Sequence, residues 1–159
     1  MEIREIRQNK KQYLSLLLLA DEQENMVDRY LEHGTMYILD DNGIKAECVV
    51  TDEGDGILEI KNIATDPDNQ RKGYGKAMID FIVSKYQGKY SVLQAGTGDS
   101  PLTIPFYEKC GFSRSHVIKN FFTDYYDHPI YEEGIQLKDM VYLRKKLGFF
   151  ERGRNERNY

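Results

Sequence analysis

Residues 70–77 read Gln-Arg-Lys-Gly-Tyr-Gly-Lys-Ala, with Gly73 and Gly75 set among three cations. Such a segment, between a strand and a helix that begins at the second glycine, gathers several unpaired backbone N–H groups at the positive end of a helix dipole. That is chemistry for holding an anion, above all a phosphate. A missing Cβ lets a phosphate approach the backbone closely, and Arg71, Lys72 and Lys76 supply charge.

Two common nucleotide loops do not fit. A Walker A loop needs glycine at position 70 and Ser or Thr after Lys76, where Gln70 and Ala77 stand. A dinucleotide fingerprint needs a third glycine at Met78 and a parallel β-α-β context. The strands before this loop are instead linked as hairpins.

The pattern that does fit is Q-x-x-G-x-G opening a helix, and here the chain resembles the GNAT superfamily of N-acetyltransferases, through Gln70, Gly73 and Gly75. Upstream, Ile63-Ala64-Thr65-Asp66-Pro67 resembles that family's strand end. Downstream, Phe106-Tyr107-Glu108-Lys109-Cys110-Gly111-Phe112 resembles its Y-E-K-x-G-F segment. The resemblance spans roughly residues 35–125 and implies acetyl-CoA as co-substrate. Its pyrophosphate would be held by Gln70, Arg71, Lys72, Gly73, Tyr74, Gly75 and Lys76, and its thioester carbonyl polarised by the backbone near Ile63, Ala64 and Thr65. Ser100 stands where the family often carries an asparagine that contacts the cofactor arm.

The resemblance also implies catalytic roles. Tyr107 matches the general acid that protonates the departing thiolate. Glu59, fourteen residues before Gly73, matches the glutamate base of one branch of the family. Glu47 on the neighbouring strand, or a water relay, is the alternative base. Cys110 is read as core rather than nucleophile.

Acyl transfer to an amine needs a free lone pair, a positioned thioester, a place for oxyanion charge and a proton for the thiolate. The expected activity is acetyl transfer by direct attack of a primary amine, on a small molecule or a peptide. The alternative is a non-catalytic acyl-CoA-binding or regulatory module. Beyond position 112, Phe121-Phe122, Tyr125-Tyr126 and Asp127-His128-Pro129-Ile130 resemble a bacterial subgroup of unassigned substrate. These aromatics are read as core or as the interface of a homodimer, and the alternative is that, together with the acidic residues, they bind the amine by charge and cation–π contact.

The elements that must position these groups follow from periodicity. Tyr13, Leu14, Leu17 and Leu18, then Met26, Val27, Tyr30 and Leu31, recur at helical spacing, and Gly34 ends the second helix. Residues 36–39 and 44–50 flank Asn42-Gly43, a hairpin signal, and a second turn leads into a strand over residues 57–64. Alternation puts Glu59, Lys61 and Ile63 on one face. The helix after the glycines buries Ala77, Met78, Phe81, Ile82 and Tyr86 and stops at Gly88. A strand over residues 90–95, a short helix over 102–109, and strands over 116–122 and 139–144 complete the order α-α-β-β-β-α-β-α-β-β. The fold class is α+β, a GNAT-like central, mostly antiparallel twisted sheet flanked by helices, as one domain over residues 1–150 with a polar, frayed tail over 151–159.

A chain of 159 residues with net charge −4, 40% hydrophobic and 30% charged residues, suits one ordinary globular domain. No basic footprint points to nucleic acid, and a cationic amine is the easier partner. The apolar run over residues 14–20 is too short for a membrane span, and nothing at the start reads as a leader, so a cytoplasmic protein is expected. Cys48 and Cys110, and three scattered histidines, suggest neither disulfide nor metal.

Overall fold

The computed structural model describes residues 1–148. The chain runs β1 (Glu2–Ile6), a 3₁₀ turn (Lys10–Tyr13), α1 (Leu14–Ala20), α2 (Glu24–Val27), β2 (Thr35–Asp40), β3 (Ile44–Asp52) and β4 (Ile57–Thr65). It continues through a 3₁₀ turn (Pro67–Asn69), α3 (Tyr74–Tyr86), β5 (Val92–Gly98), α4 (Thr103–Lys109), β6 (Ser113–Ile118), α5 (Phe121–Tyr125), β7 (Ile130–Glu132), β8 (Ile135–Leu137) and β9 (Met140–Lys146). Seven strands form one sheet in the order β1-β2-β3-β4-β5-β9-β6, and β7-β8 make a separate hairpin. Every neighbour pair in the large sheet is antiparallel except β4-β5. This is the mixed α+β architecture with helices on both faces that the sequence leads one to expect.

Strand alternation sorts the core into two layers. On one face Ala46, Cys48, Val50, Leu58, Ile60, Leu93, Ala95, Val141 and Leu143 pack with Met78, Ile79 and Ile82 of α3 and Ile104 and Tyr107 of α4. On the other, Val49, Met36 and Ile38 pack with Leu17, Val27, Tyr30 and Leu31 from the α1–α2 region. A third, smaller cluster joins Phe122, Ile130 and Leu137.

The hairpin at Asn42-Gly43 forms as its residues require, with φ of +56° and +114°. Elsewhere the structure departs from the sequence reading. β1 is an extra edge strand, paired with β2 from Glu2↔Asp40 to Ile6↔Met36; a five-residue strand with only Ile3 and Ile6 half-buried has little periodicity to show. The second helix is a single turn, followed by turns that reach Gly34, whose N–H donates to the Tyr30 carbonyl at 2.9 Å. The strand expected over 116–122 ends at Ile118, because Asn120 turns to φ +58° with its N–H held by Asp139 Oδ1 at 2.9 Å, and α5 begins there. The tail over 151–159 lies outside the described residues.

Candidate active site

Two features of β4 build the site. The first is a bulge: Val49 pairs with Asn62 but Val50 pairs with Ile60, which leaves Lys61 as the extra residue. The expected single face of Glu59, Lys61 and Ile63 is therefore wrong. Leu58 and Ile60 lie in the α3–α4 layer before the bulge and Ile63 packs against that layer after it, while Glu59, Asn62 and Ala64 share the opposite face with Glu47, Val49 and Thr51. A bulge re-aims side chains in this way.

The second feature is an opening in the sheet. β4 pairs with β5 only from Ile57↔Val92 to Ile60↔Ala95. Beyond that point β4 is held by β3 alone and β5 follows β9 as far as Gly98↔Met140. The β5-facing backbone groups of residues 62–65 thus line a wedge, an unpaired strand edge able to take another extended chain.

At the wide end of the wedge stands the start of α3. Gly73 caps it at φ +87°, and the first helical bond runs from the Ala77 N–H to the Gly73 carbonyl at 2.9 Å. The N–H groups of Tyr74, Gly75 and Lys76 have no partner within the helix. A Cβ on Gly73 would meet nothing within 4 Å, so open space adjoins its backbone, as a phosphate cradle requires. Gly75 has another reason to be glycine: its Cβ would come within 3.1 Å of Phe106 in α4. The Lys72 ammonium donates to Asn69 and Lys76 pairs with Asp80 at 2.8 Å on the exposed surface. Arg71, exposed at φ +65°, makes no side-chain bond among the described residues. Gln70 reaches back to the Thr65 carbonyl at 3.5 Å, and the Tyr74 hydroxyl donates to Asp41 at 2.7 Å, tying the loop to the β2–β3 hairpin. These residues fit an acyl-CoA whose phosphates lie at the helix start and whose arm enters the wedge.

Tyr107 and Glu59 flank that wedge on opposite faces of the sheet. Tyr107 is buried against Phe106 and Phe112 in edge-on contacts. Burial pushes its phenol above the usual tyrosine range, with smaller contributions from Cys48, Cys110, Glu47 and Glu59, so at neutral pH it holds its proton. Glu59 is only 4% exposed. It accepts from Gln94 Nε2 at 2.6 Å and faces the Lys61 ammonium at 2.9 Å, while Arg144 Nε donates to Gln94 Oε1 at 2.9 Å. Register explains the row: Glu59 pairs with Gln94 and Gln94 with Arg144 across three strands. The guanidinium fixes which end of the Gln94 amide is the acceptor, so the NH₂ must face the carboxylate. Tyr142 lies near the same carboxylate; burial, helped by Glu59 and Glu53, pushes its phenol up to about 12.

Glu47, the alternative base, lies opposite Ala64 and is wholly buried, with neither carboxylate oxygen hydrogen-bonded among the described residues. Burial drives its carboxyl well above the ordinary range. Ser100 is committed within the fold: its hydroxyl donates to Glu132 and its oxygen accepts the Leu102 N–H at 3.1 Å at the start of α4.

Sequence reasoning missed a polar seam on the Glu59 face. Asn62 donates to the Leu17 carbonyl and to the Tyr30 hydroxyl, both at 3.0 Å; the Tyr30 and Tyr126 hydroxyls donate to Asp21 at 3.1 and 2.8 Å. Desolvation raises the Asp21 carboxyl and outweighs the two phenols and the backbone N–H that lower it. Next to this, the Asp127 N–H donates to Gln23 at 3.1 Å and the His128 ring meets Glu22 at 3.0 Å. Residues 126–128 are thereby laced to residues 21–23 along one side of the site. No local pattern signals contacts between residues about a hundred positions apart.

The model of a family described as "Acetyltransferase (GNAT) domain" matches residues 32–114. The chain is 37% identical over 131 residues to a Bacillus subtilis (strain 168) protein described as the uncharacterized N-acetyltransferase YvbK, an alignment covering 80% of this chain and 84% of that one. It is similar to the crystal structure of a GNAT family acetyltransferase from Elizabethkingia anophelis with acetyl-CoA bound, at TM-score 0.86 and 34% identity over 91% of this chain and 97% of the other. It is also similar to a Bacillus subtilis acetyltransferase in complex with CoA, at TM-score 0.82 and 33% identity over 91% of this chain and 97% of the other.

Proposed function

This chain belongs to the GNAT family of acetyltransferases, with acetyl-CoA as co-substrate, and from that premise we propose that it acetylates a primary amine by direct attack on the thioester, with Glu59 and Tyr107 as its proton-handling groups. The observation that carries this reading is the opening of the sheet between β4 and β5 with a carboxylate on one face and a phenol on the other.

Acetyl-CoA supplies the activated acetyl group. The α3 start and Gly73 bind its phosphates, with Arg71, Lys72 and Lys76 adding charge. The edge of residues 62–65 aligns its arm and offers N–H groups to the carbonyl oxygen, where charge develops. Glu59 receives the proton of the incoming ammonium, whose ordinary pKa near ~10.4 keeps it charged at neutral pH. Gln94 and Lys61 fix the orientation of that carboxylate. Tyr107, kept protonated by burial, donates its proton to the departing sulfur. Ser100 serves by holding the α4 start in place, since its own hydrogen goes to Glu132. An amine acceptor suits a face carrying Glu59 and Asp21 alongside Tyr30 and Tyr126, where carboxylates and aromatic rings attract a cation.

The test is release of CoA thiol with a panel containing spermidine, an aminoglycoside and an alanine-terminated peptide. At least one amine should release thiol above the acceptor-free rate. Tyr107→Phe should then lower kcat by about 10²-fold, the usual contribution of a positioned acid, with acetyl-CoA binding retained. Stabilisation by acetyl-CoA together with silence across the panel would instead mark a non-catalytic acyl-CoA-binding module, and an unchanged rate in Tyr107→Phe would remove Tyr107 as the acid.

A further inference from the structure

One primary amine already stands at the site. Lys61 is the bulged residue of β4, immediately after the last β4–β5 pair, Ile60↔Ala95. It therefore sits at the narrow end of the wedge, where the sheet begins to open. Its Nζ lies 2.9 Å from Glu59 Oε2 and 3.9 Å from Glu53 Oε2, and its side chain keeps 27% of its surface exposed. The phosphate-binding helix start lies beyond the other end of the unpaired edge, after Thr65. Four residues of strand span about 13 Å, so an extended arm running from that end along residues 65–62 brings its reactive terminus toward Lys61.

We propose that Lys61 is an intramolecular acetyl acceptor: the chain transfers the acetyl group of acetyl-CoA to its own Lys61 Nζ. The inference rests on the reading of Glu59 and Tyr107 given above. Lys61 Nζ gives a proton to Glu59 Oε2, and the freed lone pair forms an N–C bond with the thioester carbonyl carbon. The C–S bond breaks, and the sulfur takes the Tyr107 proton. The new amide nitrogen loses its second proton to water, which returns one to Tyr107, and the proton on Glu59 leaves to solvent as the one proton released overall. The products are acetyl-Lys61 and CoA, with no oxidant or reductant involved.

The consequence is local. Acetylation removes the positive charge from Lys61 and with it the ion pair to Glu59, leaving Gln94 as the donor to that carboxylate. Glu59 Oε2 is then open to the ammonium of an external acceptor. The unmodified lysine occupies that place and competes with a weakly bound amine.

The experiment is incubation of the purified full chain with acetyl-CoA and no added amine, followed by mass mapping of acetyl-lysine over time. Lys61 should gain acetyl at least 10-fold faster than the exposed Lys89 and Lys119, at a fractional rate independent of protein concentration. Glu59→Gln and Tyr107→Phe should bring Lys61 down to the rate of the exposed lysines, with acetyl-CoA still raising the melting temperature of both. In Lys61→Arg the acetylated peptide should vanish while the variant still melts cooperatively. A Lys61 rate no faster than that of Lys89 overturns the inference. If the amine panel still releases thiol in that case, the general reading stands and only the self-acetylation fails. A fast Lys61 rate that grows with protein concentration would mean transfer between molecules and would overturn the intramolecular step.

Discussion

At the scale of single residues, two carboxylates on one sheet face are treated very differently by their surroundings. Glu59 is met by an amide and an ammonium, which is how a buried charge is made tolerable. Glu47 has no donor among the described residues, and burial raises its carboxyl well above the ordinary range. Among the described residues, the titratable groups whose charge Glu47 influences are Cys48 on its own strand, Tyr30 after α2 and Tyr107 from α4, none of them a cation. A raised carboxyl has a defined linkage sign: the unfolded chain loses this proton first, so stability falls as pH rises from the ordinary glutamate value toward the folded one. Glu47→Gln copies the neutral acid and removes that slope. Melting curves should therefore coincide near pH 4, while at pH 7–8 the variant melts above the parent. Parallel curves across the range would show that Glu47 is ionised in the fold.

At the scale of elements, the glycine loop divides its labour. Gly73 holds a left-handed cap beside open space, and Gly75 lets α3 approach Phe106 of α4. Gly73→Ala strains one residue by about 1–2 kcal/mol and puts a methyl group where a phosphate would approach. Gly75→Val forces a side chain into a packed contact, at about 1–3 kcal/mol. Both should melt lower, but they should separate by ligand: Gly73→Ala loses most of its response to acetyl-CoA, whereas Gly75→Val keeps a response from a lower starting point. Equal responses would remove the cradle role from Gly73. The motif that carries the family resemblance thus contains one glycine suited to the ligand and one demanded by packing, and spacing alone does not tell them apart.

At the scale of the whole molecule, the wedge, the α3 start and Tyr107 come from β4, β5, α3 and α4, so a ligand spanning them ties the core together. Acetyl-CoA at a hundred times its Kd should add about 2.7 kcal/mol, roughly 5–10 °C in Tm for a chain of this size; a shift within error would speak against a formed site. Among the described residues no helix is long and apolar enough to cross a membrane. Much of this was legible in the sequence, because the signals are local. Asn42-Gly43 dictates a hairpin through backbone sterics, the apolar spacing over residues 77–86 dictates an amphipathic helix, and Gln70, Gly73 and Gly75 mark a phosphate loop between strand and helix. The tertiary structure alone decided the rest. The Lys61 bulge exists only in the register of β4 against β3, and it places Glu59 opposite Ile63. The Glu59–Gln94–Arg144 row exists only in the register of three strands, β4, β5 and β9. The Asp21–Tyr126 seam joins residues 105 positions apart. Alternation and turn chemistry act over a few residues and are written in the chain, whereas a bulge, a wedge and a cross-strand row arise from how distant segments pair.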